Sequence, residues 1–213
     1  MHRRDPAVPL AESVGTMGEL VREGKIKHLG LSEVTGAELR EAYAVHPIAA
    51  VQSEWSLFSR DVERSAVGAA AALGVAFVAY SPLGRGFLTG AFTDAGTELS
   101  SSDFRQLLPL PRFTGDNAKA NAALLAPLHT IAADHGATAA QIALAWVQQR
   151  AQVHGLTVVP IPGTRKRSRL LENAAATLIT LTAEELALLE PIAGRVAGDR
   201  YSDMSLTSVG RES

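Results

Sequence analysis

The sequence predicts an α/β fold, a parallel sheet wrapped by helices. Short β-branched runs alternate with longer Ala-rich helical runs, and no hairpin signal joins consecutive strands. The third strand, Val75 to Tyr80, is apolar throughout, as strands covered on both faces are. Two architectures fit this pattern, the doubly wound sheet and the (β/α)8 barrel. A dinucleotide site on a doubly wound sheet needs Gly-x-Gly-x-x-Gly directly after a strand and opening a helix. The nearest match, Gly84-Arg85-Gly86, puts its third glycine one residue late, at Gly90, and Pro82 and the polar stretch beyond do not open a helix. The barrel is favoured, with four strands in view.

The elements follow in order. Leu10, Val14, Met17 and Val21 share one face of a helix over Leu10 to Glu23, which Gly24 stops. A strand follows at Ile26 to Ser32. Thr35 and Glu38 have capping-box spacing and open a helix to Val45. Ile48 to Gln52 reads as a strand, Asp61 to Leu73 as a helix ending at Gly74, and Val75 to Tyr80 as a strand. Residues 81–115, rich in Gly, Pro, Ser and Thr, form a long irregular loop, and loops of that length are usually functional. Helices over Asn117 to Asp134 and Thr138 to Arg150 come next, the second opened by Thr138 and Gln141. Leu156 to Ile161 is the last strand. Helices follow over Arg167 to Ala176 and from Thr182/Glu185 to Ile192, and residues 195–213 read as a polar tail.

Composition narrows the function. The 213 residues carry 20 basic and 22 acidic side chains, net −2, which provides no field to attract nucleic acid or an anionic membrane. With 46% hydrophobic and 5% aromatic residues, the core is built from Ala, Val, Leu and Ile. The absence of cysteine excludes disulfides, thiolate–metal sites and a thiol nucleophile. Met1 to Pro6 is charged with no apolar stretch behind it, and no run of about 18 apolar residues occurs, so a cytoplasmic chain is expected. His28, His46, His129, His135 and His154 share no metal-ligand spacing, and Gly-x-Ser-x-Gly is absent.

Five phrases narrow it further. They are His2-Arg3-Arg4-Asp5-Pro6; Gly24-Lys25-Ile26-Lys27-His28-Leu29-Gly30-Leu31-Ser32-Glu33; Val51-Gln52-Ser53-Glu54-Trp55-Ser56-Leu57; Ala79-Tyr80-Ser81-Pro82-Leu83-Gly84-Arg85-Gly86; and Pro160-Ile161-Pro162-Gly163-Thr164-Arg165-Lys166, with Leu171-Glu172-Asn173 behind it. In this order and spacing, at strand ends, the chain resembles the C-terminal half of the aldo-keto reductases, NADP(H)-using (β/α)8 barrels. A whole barrel takes about 250 residues and eight strands. The resemblance therefore implies an incomplete TIM barrel, strands five to eight with their helices, as a single partial domain over 1–213. It leaves parallel edges exposed at Ile26–Ser32 and Leu156–Ile161, open to self-association or to a complementary N-terminal half.

The resemblance implies site residues as well. The family's tetrad is Asp, Tyr, Lys and His; His2 matches the last, orienting the carbonyl of an aldehyde or ketone, and the other three have no match here. Ser32 and Gln52 match the residues that hold the nicotinamide carboxamide, with Glu33 where many members have Asn. Tyr80 matches the ring that stacks on the nicotinamide. Ser81, Leu83, Gly84 and Arg85 open the loop over the pyrophosphate. Gly163, Thr164, Arg165 and Lys166 precede a helix, a setting that favours phosphate. Arg165, Lys166, Arg167 and Arg169 make the densest basic run, suited to a 2′-phosphate, and Glu172 and Asn173 match readers of the adenine end. Trp55 lines a substrate pocket or fills the core. Plain structural roles stand beside these: a frayed His2, a core Tyr80, a simple turn at Gly84, a solvated basic helix face. The implied function is an NADP(H)-dependent reductase, weak or inactive alone; the alternative is a non-catalytic half-barrel that binds cofactor or associates with itself.

Overall fold

Strands β1 (Leu29–Ser32), β2 (Ile48–Glu54), β3 (Ala76–Tyr80) and β4 (Val158–Ile161) form one parallel sheet in chain order. The computed structural model describes residues 1–91, 99–100, 102–108, 110–205 and 207–212. Residues 92–98, 101 and 109 of the predicted 81–115 loop, and 206 and 213 of the predicted tail, lie outside the described residues. The register aligns Ser32 with Gln52, Gln52 with Val78, and Tyr80 with Ile161, so all four C-terminal strand ends reach one rim.

Helices α1 (Leu10–Arg22), α2 (Gly36–Val45) and α3 (Ala66–Leu73) connect the first three strands. The long segment between β3 and β4 holds a 3-10 stretch at Gly84–Thr89, α4 (Phe104–Leu107), a 3-10 turn at Pro111–Phe113, α5 (Gly115–Ala123), α6 (Ala126–Asp134) and α7 (Ala139–His154). After β4 come α8 (Arg167–Ala175) and α9 (Ala183–Leu189). All three capping boxes, Thr35/Glu38, Thr138/Gln141 and Thr182/Glu185, form both of their hydrogen bonds.

The sheet is covered on one face. Leu29, Leu31, Val51, Phe77 and Ala79 are buried, while their neighbours Gly30, Ala50 and Val78 are half-buried or exposed. On β4, Val159 and Ile161 are 45% and 42% exposed. This corrects the expectation that Val75 to Tyr80 is buried on both sides: its side chains alternate, and only the helix-facing set is covered.

Two predicted helices divide. Asp61–Leu73 breaks at Ser65 into a 3-10 turn (Asp61–Arg64) and α3, and the Ser65 hydroxyl accepts the Gly36 amide at 2.8 Å. A Cβ on Gly36 would stand 2.7 Å from the Ser65 carbonyl oxygen, so only glycine lets α2 start there. Asn117–Asp134 breaks before Pro127, which has no amide hydrogen to continue a helix but fits the first turn of α6. The polar tail is partly buried. Arg200, Thr207 and Ser208 are buried, and the segment folds back to the rim.

Candidate functional site

Among the described residues, one cavity of about 540 Å³ is lined by Asp61, Arg112 and Arg200, and two others bear on the predicted site residues. The smaller, about 260 Å³, lies on the uncovered face and is lined by His2, Ser32 and Gln52 together with Gly30, Ala50 and Val78. The Met1 amine donates to the Gly30 carbonyl at 2.7 Å, and Arg4 pairs with Glu38 at 2.9 Å, which seats the His2 segment against β1 and α2. His2 itself is exposed.

The larger, about 770 Å³, is a cleft beyond the ends of β3 and β4. Ser81, Leu83 and Arg85 line one wall. Gly163, Thr164, Arg169, Glu172 and Asn173 line the other. Arg105, from α4, joins them; nothing in its sequence surroundings marks it, because the loop alone carries it there. Of the remaining predicted residues, Arg165 and Lys166 are exposed outside the lining, and Gly84 is buried behind it with its Cβ position 3.4 Å from Leu88. Tyr80 is in neither lining; it lies two residues along β3 from Val78, which lines the smaller cavity, and next to Ser81, which lines the larger.

Among the described residues, the non-glycine ones with positive φ are Glu33 (52°), Ser81 (47°) and Arg85 (56°), each beyond a strand end on this rim. Such backbone is held only where surrounding contacts over-determine it. Here the contacts are a buried charge cluster. Glu54, fully buried, pairs with Arg85 at 2.8 Å and lies 3.7 Å from Arg112 and 3.9 Å from Arg200. Arg200 also meets Asp61 at 2.9 Å and Glu33 at 3.4 Å. Tyr80 donates its hydroxyl to Glu33 at 2.7 Å. Tyr201 lies under the Arg85 guanidinium, 4.6 Å from its ring centre. Arg85 thus lines the cleft with its charge paired to Glu54.

Burial works to raise the Glu33 pKa, but the Arg200 charge and hydrogen bonds from Tyr80, Ser208 and Glu54 prevail and hold it below the ordinary value. Burial, then the Glu33 and Glu54 charges, push the Tyr80 phenol far up, so it remains a donor. Burial raises Asp61 despite Arg200.

Trp55 is corrected as a pocket residue. It is fully buried, donates Nε1 to Glu63 at 2.9 Å and meets Phe77 edge-on at 4.9 Å. Its position beyond Val51 and Ser53 continues the helix-facing alternation of β2. Glu172 lines the cleft but accepts from the Thr138 hydroxyl at 2.7 Å, while its carbonyl accepts from Gln141 at 3.1 Å, tying α8 to the start of α7.

The model of the aldo/keto reductase family matches residues 1–193. The chain belongs to the aldo/keto reductase family. It is 44% identical over 202 residues to "Probable aldo-keto reductase 1" of Glycine max, covering 94% of this chain and 56% of that protein. It is 43% identical over 208 residues to "Aldo-keto reductase str7" of Strobilurus tenacellus, covering 95% and 60%. Among solved structures it is similar to the thermostable aldo-keto reductase Tm1743 in complex with epalrestat (TM-score 0.67, 32% identity, 90% of this chain and 58% of that one). It is similar also to the glycerol dehydrogenase AKR11B4 from Gluconobacter oxydans (TM-score 0.76, 26% identity, 92% and 57%). The chain therefore spans less than two thirds of the length of these relatives. Among the described residues, no helix is long and apolar enough to cross a membrane, and no group of three or more His, Asp and Glu is placed to hold a metal ion.

Proposed function

We propose that this chain supplies the cofactor site of an NADP(H)-dependent aldo-keto reductase, an oxidoreductase converting carbonyls to alcohols. The observation that carries this reading is the 770 Å³ cleft, which gathers residues from two strand ends and α8 that are far apart in sequence, beside the smaller cavity holding His2, Ser32 and Gln52. The chemistry of the cleft fits a phosphorylated dinucleotide. No side chain caps the first turn of α8, which leaves its amides for an anion. A Cβ on Gly163 would meet nothing within 4 Å, so that wall has room. Arg169 lines the cleft and is exposed, suited to a 2′-phosphate.

When bound, NADP(H) supplies the hydride that a carbonyl carbon receives. Ser32 and Gln52 provide the donors and acceptors a carboxamide needs. Tyr80 offers its ring to the nicotinamide, and the backbone over 81–85 receives the pyrophosphate. His2 hydrogen-bonds the carbonyl oxygen of an aldehyde or ketone and orients it. The family's Asp, Tyr and Lys have no counterpart here, so the chain by itself binds cofactor and turns over weakly or not at all. We read its sheet as strands five to eight of a (β/α)8 barrel. Fluorescence titration with NADPH, beside a reductase assay on a generic aldehyde, tests this: saturable binding with little turnover is expected, and no binding overturns it.

The uncovered sheet face favours a second reading, a half-barrel that pairs with itself or with a complementary N-terminal half. Val159 and Ile161 on β4 and Leu170 and Leu171 on α8 are exposed, and β4 is an outer strand. Sedimentation separates the two readings: a stable dimer that binds no NADPH favours this one.

A further inference from the structure

We infer that Glu33 is a positioning residue for the Tyr80 ring, and that the C-terminal segment over 200–211 holds Glu33 in place. The inference rests on the cofactor reading above and adds residues that reading does not use. Glu33 is 1% exposed. One carboxylate oxygen accepts from the Tyr80 hydroxyl at 2.7 Å, from the Glu54 amide at 3.3 Å and from Arg200 at 3.4 Å. The other accepts from the Ser208 amide at 3.1 Å, and the Glu33 carbonyl accepts from Arg211. Both ends of the residue are thus bound by a segment more than 160 positions away in the chain.

The consequence for Tyr80 is geometric. Its Cα is fixed in β3 between Glu54 and Ile161, and its hydroxyl is fixed on Glu33. With the hydroxyl held there, the first side-chain torsion is set and with it the place of the ring on the rim, beside Ser81, which lines the larger cavity. A ring already in place gives up less rotamer freedom when a planar group stacks on it. The left-handed backbone at Glu33 is part of the device, since a glutamate there aims its carboxylate across the rim instead of into the smaller cavity, whose lining does not include it. Arg211 further joins Glu38 at 3.0 Å, the carboxylate that also holds Arg4 and with it the His2 segment.

The test is a double-mutant cycle on NADPH affinity in the full chain, using Glu33→Gln and Tyr80→Phe, with melting temperatures recorded. Glu33→Gln is expected to weaken NADPH binding about tenfold in the Tyr80 chain and less than about twofold in the Tyr80→Phe background, because the link it breaks is already gone. Ser208→Pro is the second variant and serves if Glu33→Gln does not fold. The backbone φ of Ser208 is −57°, which proline adopts, so the change keeps that dihedral, removes the amide hydrogen and the hydroxyl, and sets a ring carbon where the amide met the Glu33 carboxylate. It is expected to weaken NADPH binding in the Tyr80 chain and to add nothing in the Tyr80→Phe background. Equal factors in both backgrounds overturn the positioning role and leave the cofactor reading standing. A wild-type chain that gives no saturable NADPH signal overturns both.

Discussion

Trp55 and Arg169 illustrate two kinds of residue on this rim. Trp55 follows Val51 and Ser53 at spacing two, and that parity places it against Phe77 and away from the open face. A position just past a strand end left both a pocket and the core open in the sequence; the alternation takes the core. Trp55→Ala removes a fully buried indole and should cost about 3–5 kcal/mol, measured by denaturant unfolding. Arg169 is the basic-run residue that the fold brings to the cleft, whereas Arg165 and Lys166 stay outside it. It stands three and four residues before Glu172 and Asn173 on α8, the spacing that puts side chains on one helix face. Under the proposed function, Arg169→Ala should weaken NADPH binding by about 1.5–3 kcal/mol, tenfold or more, and leave NADH nearly unchanged in parallel titrations.

Most elements were readable because their signals are local. Capping boxes act over three residues, and each predicted one forms. The misread boundaries have one local cause and one distant partner: Pro127 divides α5 from α6, while Ser65, where the other helix is interrupted, accepts the Gly36 amide, a contact across 29 residues. The box at the start of α7 has a second duty, since Thr138 both caps that helix and donates to Glu172 on the cleft wall. Thr138→Ala should lower stability by about 1–2 kcal/mol in urea unfolding, the cost of a lost cap. Under the cofactor reading it should also weaken NADPH binding, because α8 loses its tie to α7.

Across the whole molecule, the C-terminal segment closes the rim through charge. Glu33 and Glu38 are both held below their ordinary pKa, for Glu38 by Arg211, Thr35 and Arg4 acting against burial. A depressed carboxylate stabilises the fold above its unfolded value and loses that contribution as the pH falls through the folded one. Asp61 is raised and acts in the opposite sense. Melting temperature should therefore stay level from neutral pH to near the ordinary glutamate value of 4.5 and fall below it, and Glu38→Gln should flatten that fall.

The sequence by itself determined the parallel α/β pattern, the places of Ser32 and Tyr80 at strand ends and of Gln52 near one, and the turn before α8. Those follow from side-chain alternation, capping spacing and motif order, which act over a few residues. Only the tertiary structure decided that Arg85 answers Glu54, that Glu33 meets Tyr80, and that the apparent tail carries the counter-charges of both. Buried carboxylates at two strand ends must be matched by cations, but nothing local says which, and the match comes from residues brought near only when the chain closes on itself.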